Sequence, residues 1–105
     1  MGLPKSVRVG YRDYAVVPWP TREADAAGAD GYCDKQFGII RIREGMDAVE
    51  TLATLWHELR HAAWSVGCIG DDSNEERVVS ILSNVDVQIW RDNPDLVAFL
   101  SDALA

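Results

Sequence analysis

Residues 47–67 read DAVETLATLWHELRHAAWSVG, and their apolar side chains recur at the three- and four-residue spacing of an α-helix. The recurring positions are Val49, Leu52, Ala53, Trp56, Leu59 and Ala63. Asp47 followed by Glu50 is typical of the capping box that begins a helix, and Gly67 is a residue type at which helices commonly end. This stretch therefore predicts a long amphipathic helix between Asp47 and Gly67.

Two further helices are predicted downstream. Residues 73–91 carry apolar side chains at helical spacing, namely Val78, Val79, Leu82, Val85 and Ile89. Since proline is tolerated at the first position of a helix, Asn93 and Pro94 indicate a break followed by a short third helix. The residues expected to face inward from it are Leu96, Phe99, Leu100 and Leu104. Residues 46–105 are therefore expected to form a helical region.

Upstream, the pattern changes to that of a sheet. Residues 6–17 read SVRVGYRDYAVV, in which Val7, Val9 and Tyr11 alternate with other residues. A period of two is typical of a strand. Residues 18–20 read PWP, and because proline lacks the backbone N–H that a strand donates, they are expected to end the strand.

A loop and a hairpin complete this region. Residues 21–31 are small and polar and are expected to form a loop or a short helical turn. Residues 34–38 are expected to contain a hairpin turn, followed by a strand with three isoleucines. The chain is therefore predicted to be a single α+β domain over residues 1–105. A small, mostly antiparallel sheet in residues 1–45 would precede three helices.

Composition and charge narrow the class of protein. The chain has 105 residues, of which 48% are apolar and 26% charged, as in an ordinary globular domain. Ten Lys and Arg against seventeen Asp and Glu give a net charge of −7, which argues against nucleic acids and anionic membranes as partners. No apolar run approaches the ~18 residues that cross a bilayer. The two distant cysteines, Cys33 and Cys68, favour a reduced, cytoplasmic protein over a disulfide scaffold.

Residues 57–61 form the motif His-Glu-Leu-Arg-His, which contains both histidines of the chain. His57 and His61 lie one turn apart on the same helical face, so both can bind one metal ion, and neutral imidazole is a preferred ligand of Zn2+. Glu58 points elsewhere around the helix and can accept a proton from a water molecule beside the ion. The alternative is a pair of surface histidines next to an ordinary glutamate. The spacing favours a zinc site with Glu58 as the catalytic base.

A hydrolytic zinc site usually has three protein ligands, and the chain has no third histidine. The carboxylates on the segment that follows the motif helix are Asp71, Asp72, Glu75 and Glu76. Because the second helix follows a short turn, its first turn should return close to His61. Glu75 projects with the apolar stripe, whereas Glu76 lies at its edge beside the small Ser80 and Ser83, which leave room for an ion. Glu76 is therefore favoured as the third ligand, with Glu75 as the alternative. Either glutamate can instead form a capping box, with Ser73 or Asp72 as the cap.

With this motif in one helix and Glu76 in the next, the chain resembles the minigluzincins, and in particular the ImmA/IrrE-like and phage-encoded zinc metallopeptidases. The resemblance covers about residues 31–102 and includes the segments GYCDKQFGIIRI, HELRHAAW and EERVVSILSNVDVQIWRDNP. It implies a zincin-like fold with the motif on the first long helix. It also implies a phage or prophage origin.

The resemblance further implies a metalloendopeptidase that hydrolyses peptide bonds of peptide or protein substrates. His57, His61 and Glu76 would hold Zn2+, and Glu58 would be the general base and acid. A strand such as residues 39–43 would lie along the cleft and pair with the substrate backbone. Since the chain is short, substrate selection is expected to rely on an activating protein partner or on disorder in the substrate.

Two features depart from the family pattern. Ser80 stands where thermolysin-like relatives carry an aspartate that supports a ligand histidine. No tyrosine or histidine after the motif is in place to stabilise the oxyanion, and the other candidates are Tyr11, Tyr14, Tyr32 and Arg60. Arg60 falls within the apolar arc of its helix, where it is expected to snorkel or to pair with an acidic side chain.

Two alternatives belong to other classes of protein. One is a non-catalytic interaction module whose metal is structural and closed by a fourth ligand such as Cys68 or Asp71. The other is a metal-dependent hydrolase of a non-peptide bond. A cleft without a free strand edge would favour this second alternative.

Overall fold

The computed structural model describes residues 2–67 and 75–105, apart from the side chains of Glu75, Glu76 and Val79. It is an α+β fold, as predicted. The elements are β1 (Ser6–Val9), β2 (Arg12–Trp19), α1 (Thr21–Ala27), β3 (Gly31–Asp34), β4 (Ile39–Arg43), α2 (Ala48–Val66), α3 (Glu75–Asp92) and α4 (Pro94–Ala103). No helix among the described residues is both long enough and apolar enough to span a membrane.

The four strands form one sheet in the order β1-β2-β4-β3. The predicted single strand over residues 6–17 is in fact a hairpin, because Gly10 adopts a φ of 62° and reverses the chain. The β3–β4 hairpin is antiparallel as expected, but β2 and β4 pair in parallel. The sheet is therefore mixed, since α1 and β3 together supply the long connection that parallel pairing requires.

The expectation that residues 18–20 end the strand was also wrong, because β2 continues through Pro18 to Trp19. The N–H of Val16 donates to the carbonyl of Lys5, so the even-numbered residues of β2 direct their N–H towards β1. Pro18 is also even-numbered, so its nitrogen faces the β1 side of the strand. The pairing with β1 begins only at Ser6, however, and Pro18 lies past that end of the ladder. A missing donor therefore costs no ladder hydrogen bond at this position.

Residues 21–27, predicted as loop or helical turn, form α1, which ends at Gly28 in the left-handed conformation. Arg43 of β4 fixes the chain that follows. Its guanidinium donates to Asp25 at 2.7 Å and to Asp30 at 2.8 Å, and its backbone N–H donates to the Asp30 carbonyl. These contacts hold the start of β3 in place next to α2.

Helices α2 and α3 pack against the sheet, and α4 packs against these two helices. The side chain of Asp47 accepts from the N–H of Glu50 at 2.8 Å and begins α2, as predicted, and Gly67 ends it. The core between the layers contains Val7, Val9, Tyr14, Val16, Ile40, Ile42, Leu55, Leu59, Ala62, Ala63, Ile89, Leu96 and Phe99. Leu104, which was expected to face inward, is 63% exposed, and Trp90 of α3 is 46% exposed.

Asn93, predicted as a helix break, is also a buried structural link. Its side-chain carbonyl accepts from the N–H of Arg8 at 2.8 Å, and its amide donates to the carbonyls of Arg8 and Ile89. Gln88 makes a similar pair of contacts with Gly10 and Arg8. Two amide side chains thus cover the outer edge of β1 and join the helices to it.

Candidate metal centre

The two histidines of the motif face each other on the exposed side of α2. Their Nε2 atoms lie 3.2 Å apart and their ring centroids 4.9 Å apart. Two nitrogen ligands at roughly 2.0–2.1 Å from a tetrahedral zinc ion are separated by about 3.3 Å. The separation of the two nitrogen atoms therefore matches that of two ligands of one zinc ion. The same separation also allows a hydrogen bond between the two neutral rings.

Glu58 lies between α2 and β3 and is only 7% exposed. Burial raises the pKa of its carboxyl group above the usual value, and the neighbouring His57 and His61 oppose that shift. A carboxylate held beside two imidazoles is a group that can accept and release a proton. The structure thus places Glu58 next to the histidine pair, as the motif predicts.

Gly31, the first residue of β3, packs directly against this part of α2. A Cβ atom on Gly31 would lie 2.7 Å from Thr54 Cγ2 and 3.0 Å from Glu58 Oε2. The strand can approach the helix this closely because the position has no side chain. Sequence reasoning missed Gly31 and Thr54 as parts of the site. A glycine at the start of a strand, which often marks a close backbone approach, is the signal that could have identified Gly31.

Replacing Gly31 by alanine is expected to lower the free energy of unfolding by about 1–3 kcal/mol, because the added methyl group overpacks a contact with the stiff, β-branched Thr54. Urea denaturation measures the loss. The matched control is Gly2→Ala, since a Cβ on Gly2 meets nothing within 4 Å. Equal stability of the two variants would contradict the close approach of β3 to α2.

A cleft runs along β3 on both sides of Glu58. Two adjoining cavities of about 370 and 350 Å3 share Gly31, His57 and Glu58 in their walls. The first cavity also contacts Ala29, Asp30, Ala53 and Thr54, and the second contacts Tyr32, Cys33, Lys35 and His61. The histidine pair therefore opens onto a groove that is long enough to contact β3 from end to end.

Cys33 contributes a neutral thiol to this groove. Burial, followed by the charge of the Glu58 carboxylate, raises the pKa of the Cys33 thiol to about 11. A thiol with that pKa is almost entirely protonated at neutral pH. Cys33 therefore adds no negative charge beside the histidines.

The outer edge of β3 is open among the described residues. The carbonyls of Asp30 and Asp34 accept from Arg43 and Gly38, so the even-numbered residues direct their backbone groups towards β4. By alternation, the N–H and C=O groups of Gly31 and Cys33 point away from the sheet. These two residues can hydrogen-bond to an added strand.

The strand expected along the cleft, residues 39–43, does not have this free edge. As β4, it lies between β2 and β3 and pairs with both of them. Its backbone groups are therefore already used on both sides. The expectation is corrected to β3, which the order of the strands places at the edge of the sheet next to α2.

Of the four candidates for oxyanion stabilisation, only Tyr32 contributes to the wall of the cleft. Its ring, however, points to the other face of the sheet, since Gly31 faces α2 and side chains alternate along β3, and it lies 6.4 Å from the Trp19 ring. Tyr14 is buried in the core, and Tyr11 is 80% exposed at the β1–β2 turn. Arg60 forms an ion pair with Asp86 at 3.2 Å and its guanidinium lies 5.9 Å from the Trp56 ring centroid. The expectation that Arg60 pairs with an acidic side chain is thus confirmed.

The third ligand falls outside the described part of the structure. Glu75 and Glu76 occupy the first turn of α3, as the prediction requires, but their side chains are among those not described. Asp71, Asp72, Ser73 and Cys68 also lie outside it. Within residues 2–67 and 75–105, no described group of three His, Cys, Asp or Glu side chains is placed to hold an ion. Glu76 as ligand stays a prediction.

Comparison with known proteins finds no family model, no curated protein and no solved structure that matches the chain. The geometry of His57, Glu58 and His61 and the open strand beside them are therefore the features that bear on function.

Proposed function

We propose that the chain is a zinc-dependent metalloendopeptidase that acts on peptide or protein substrates in the cytoplasm. The observation that carries the proposal is the 3.2 Å separation of the His57 and His61 Nε2 atoms beside a buried Glu58. The open edge of β3 supports a peptide substrate over a non-peptide one, because an extended peptide can add to it as a strand.

In this proposal His57 and His61 hold Zn2+ through their Nε2 atoms, and Glu76 supplies the third ligand. The bound ion would supply Lewis-acid activation of a water molecule and of the peptide carbonyl. The structure supports the first two ligands by their separation. The start of α3 directly before Glu76 is consistent with the third.

In this proposal Glu58 transfers the proton of the attacking water. Its carboxylate accepts a proton from the attacking water and then donates it to the nitrogen of the leaving amine. Gly31 and Cys33 align the substrate by hydrogen bonds to its backbone, next to that carboxylate.

Zinc binding tests the proposal directly. The metal-free protein, titrated with Zn2+ against a chromophoric chelator, is expected to bind one equivalent. Since loss of an outer-shell partner already costs 10–100-fold in affinity, His57→Ala and His61→Ala are each expected to weaken binding by more than about 100-fold. Asp102→Asn, which removes an exposed carboxylate of α4, is the control. Unchanged affinity in either histidine variant would show that the rings only hydrogen-bond to each other.

The adjacent glutamates of α3 provide a matched pair in the same titration. Glu76→Gln is expected to weaken zinc binding strongly, while Glu75→Gln is expected to leave it unchanged. The reverse order would assign the third ligand to Glu75. If neither substitution changes the affinity, the ligand comes from another residue and the glutamate-type assignment is wrong.

A further inference from the structure

Two cations lie just beyond the carboxyl-terminal end of β3, although the chain as a whole has a net charge of −7. Lys35 follows this strand directly and forms part of the cavity wall that also contains His57, Glu58 and His61. Arg12 lies under the β3–β4 turn, where its guanidinium donates to the carbonyls of Lys35 and Gln36. Two cations are therefore held together at one end of the cleft.

Neither Lys35 nor Arg12 forms an ion pair with a carboxylate in the described part of the chain. Arg12 donates to backbone carbonyls and its guanidinium lies 5.2 Å from the Tyr14 ring centroid. Asp13 pairs with Arg8 at 3.0 Å, whereas Asp34 keeps its charge and accepts from the N–H of Phe37 at 3.1 Å. The two cations therefore exceed the single charge of Asp34. Lys35 and Arg12 can therefore attract an external anion.

The opposite end of the cleft carries negative charge. Asp30 lines the cavity at the amino-terminal end of β3. It shares the single guanidinium of Arg43 with Asp25, so that two carboxylates surround one cation. The groove thus runs from a negative end at Asp30 to a positive end at Lys35, with Glu58 between them.

We propose that Lys35, supported by Arg12, selects substrates with an acidic side chain on the amino-terminal side of the scissile bond. This inference rests on the proposed peptidase function. Antiparallel pairing is the more stable arrangement for an added strand, and it places substrate residues opposite Lys35 before those opposite Gly31. Because Gly31 contacts Glu58, the acidic residue falls about two to four positions before the bond that is cut.

Matched peptides that differ only by Glu or Gln at these positions test the inference. The wild-type protein is expected to cleave the Glu peptide with a kcat/KM about threefold higher, as for an exposed ion pair. Lys35→Met should bring the ratio close to one, and Lys35→Glu should invert it. The control is Lys5→Glu, which makes the same charge change beside β1 at the far edge of the sheet and is expected to keep the wild-type ratio.

Binding of the same peptides to zinc-loaded Glu58→Gln protein, followed by fluorescence anisotropy, is the second measurement. The preference for Glu should appear in Kd and decrease at 1 M salt, where the Debye length is about 3 Å. Cleavage and binding without any preference, or a preference for acid after the scissile bond, would overturn the inference alone. If every peptide is neither cut nor bound, the peptidase function is wrong and the inference falls with it.

Discussion

Glu58→Gln is expected to lower the rate of peptide hydrolysis by about 10²–10⁴-fold while the protein keeps its zinc. Glutamine has nearly the same shape as glutamate and preserves the packing against Gly31 and Thr54. An amide, however, cannot accept the proton of the attacking water. The measurement is kcat on unfolded protein substrates, together with the zinc content of each preparation.

The matched control for this prediction is Glu50→Gln. Glu50 lies in the first turn of the same helix and is exposed, so the same chemical change is made away from the cleft. Its rate should equal that of the wild type. A Glu58→Gln protein that is as active as the wild type would remove Glu58 from the mechanism. If both proteins bind zinc and neither cleaves any substrate, the metal is structural and the interaction-module alternative is favoured.

Asn93→Ala is expected to lower the free energy of unfolding by about 2–3 kcal/mol. The buried amide of Asn93 makes three hydrogen bonds, two of them with the backbone of Arg8 in β1. Truncation leaves these partners unpaired in a partly buried place, where each unsatisfied group costs about 1–3 kcal/mol. Urea denaturation with an unchanged slope measures the loss.

Two variants make the Asn93 prediction specific. Asn84→Ala removes the same side chain from an exposed position of α3 and should change the stability by less than about 0.5 kcal/mol. Asn93→Asp can still accept from the Arg8 N–H but cannot donate to the two carbonyls, so it should also be destabilised. If Asn93→Ala loses no more stability than Asn84→Ala, the amide does not hold β1 to the helices.

Asn93 and Gln88 also explain why the two edges of the sheet differ. Both side chains hydrogen-bond to the outer edge of β1 and therefore occupy it. The outer edge of β3 has no strand or amide cover among the described residues, and the histidine pair lies beside it. Another chain can add to an exposed strand edge. In this fold the exposed edge is that of β3, beside the candidate site.

Several features of this chain follow from its sequence alone, because they depend on neighbours within one or two helical turns. The Asp47 cap, the end of α2 at Gly67 and the start of α4 at Pro94 are of this kind. The close approach of the His57 and His61 rings is also determined by neighbours in the sequence. Residues four apart on a helix share a face, whatever the rest of the chain does.

Only the tertiary structure decided which segments meet. The parallel pairing of β2 with β4, the continuation of β2 through Pro18 and the choice of β3 as the edge depend on contacts between distant parts of the chain. The roles of Gly31 and Asn93 have the same origin, since a missing Cβ or a buried amide matters only through the element that packs against it. Alternation and propensity describe a strand by itself, whereas its partners depend on the packing of the whole domain.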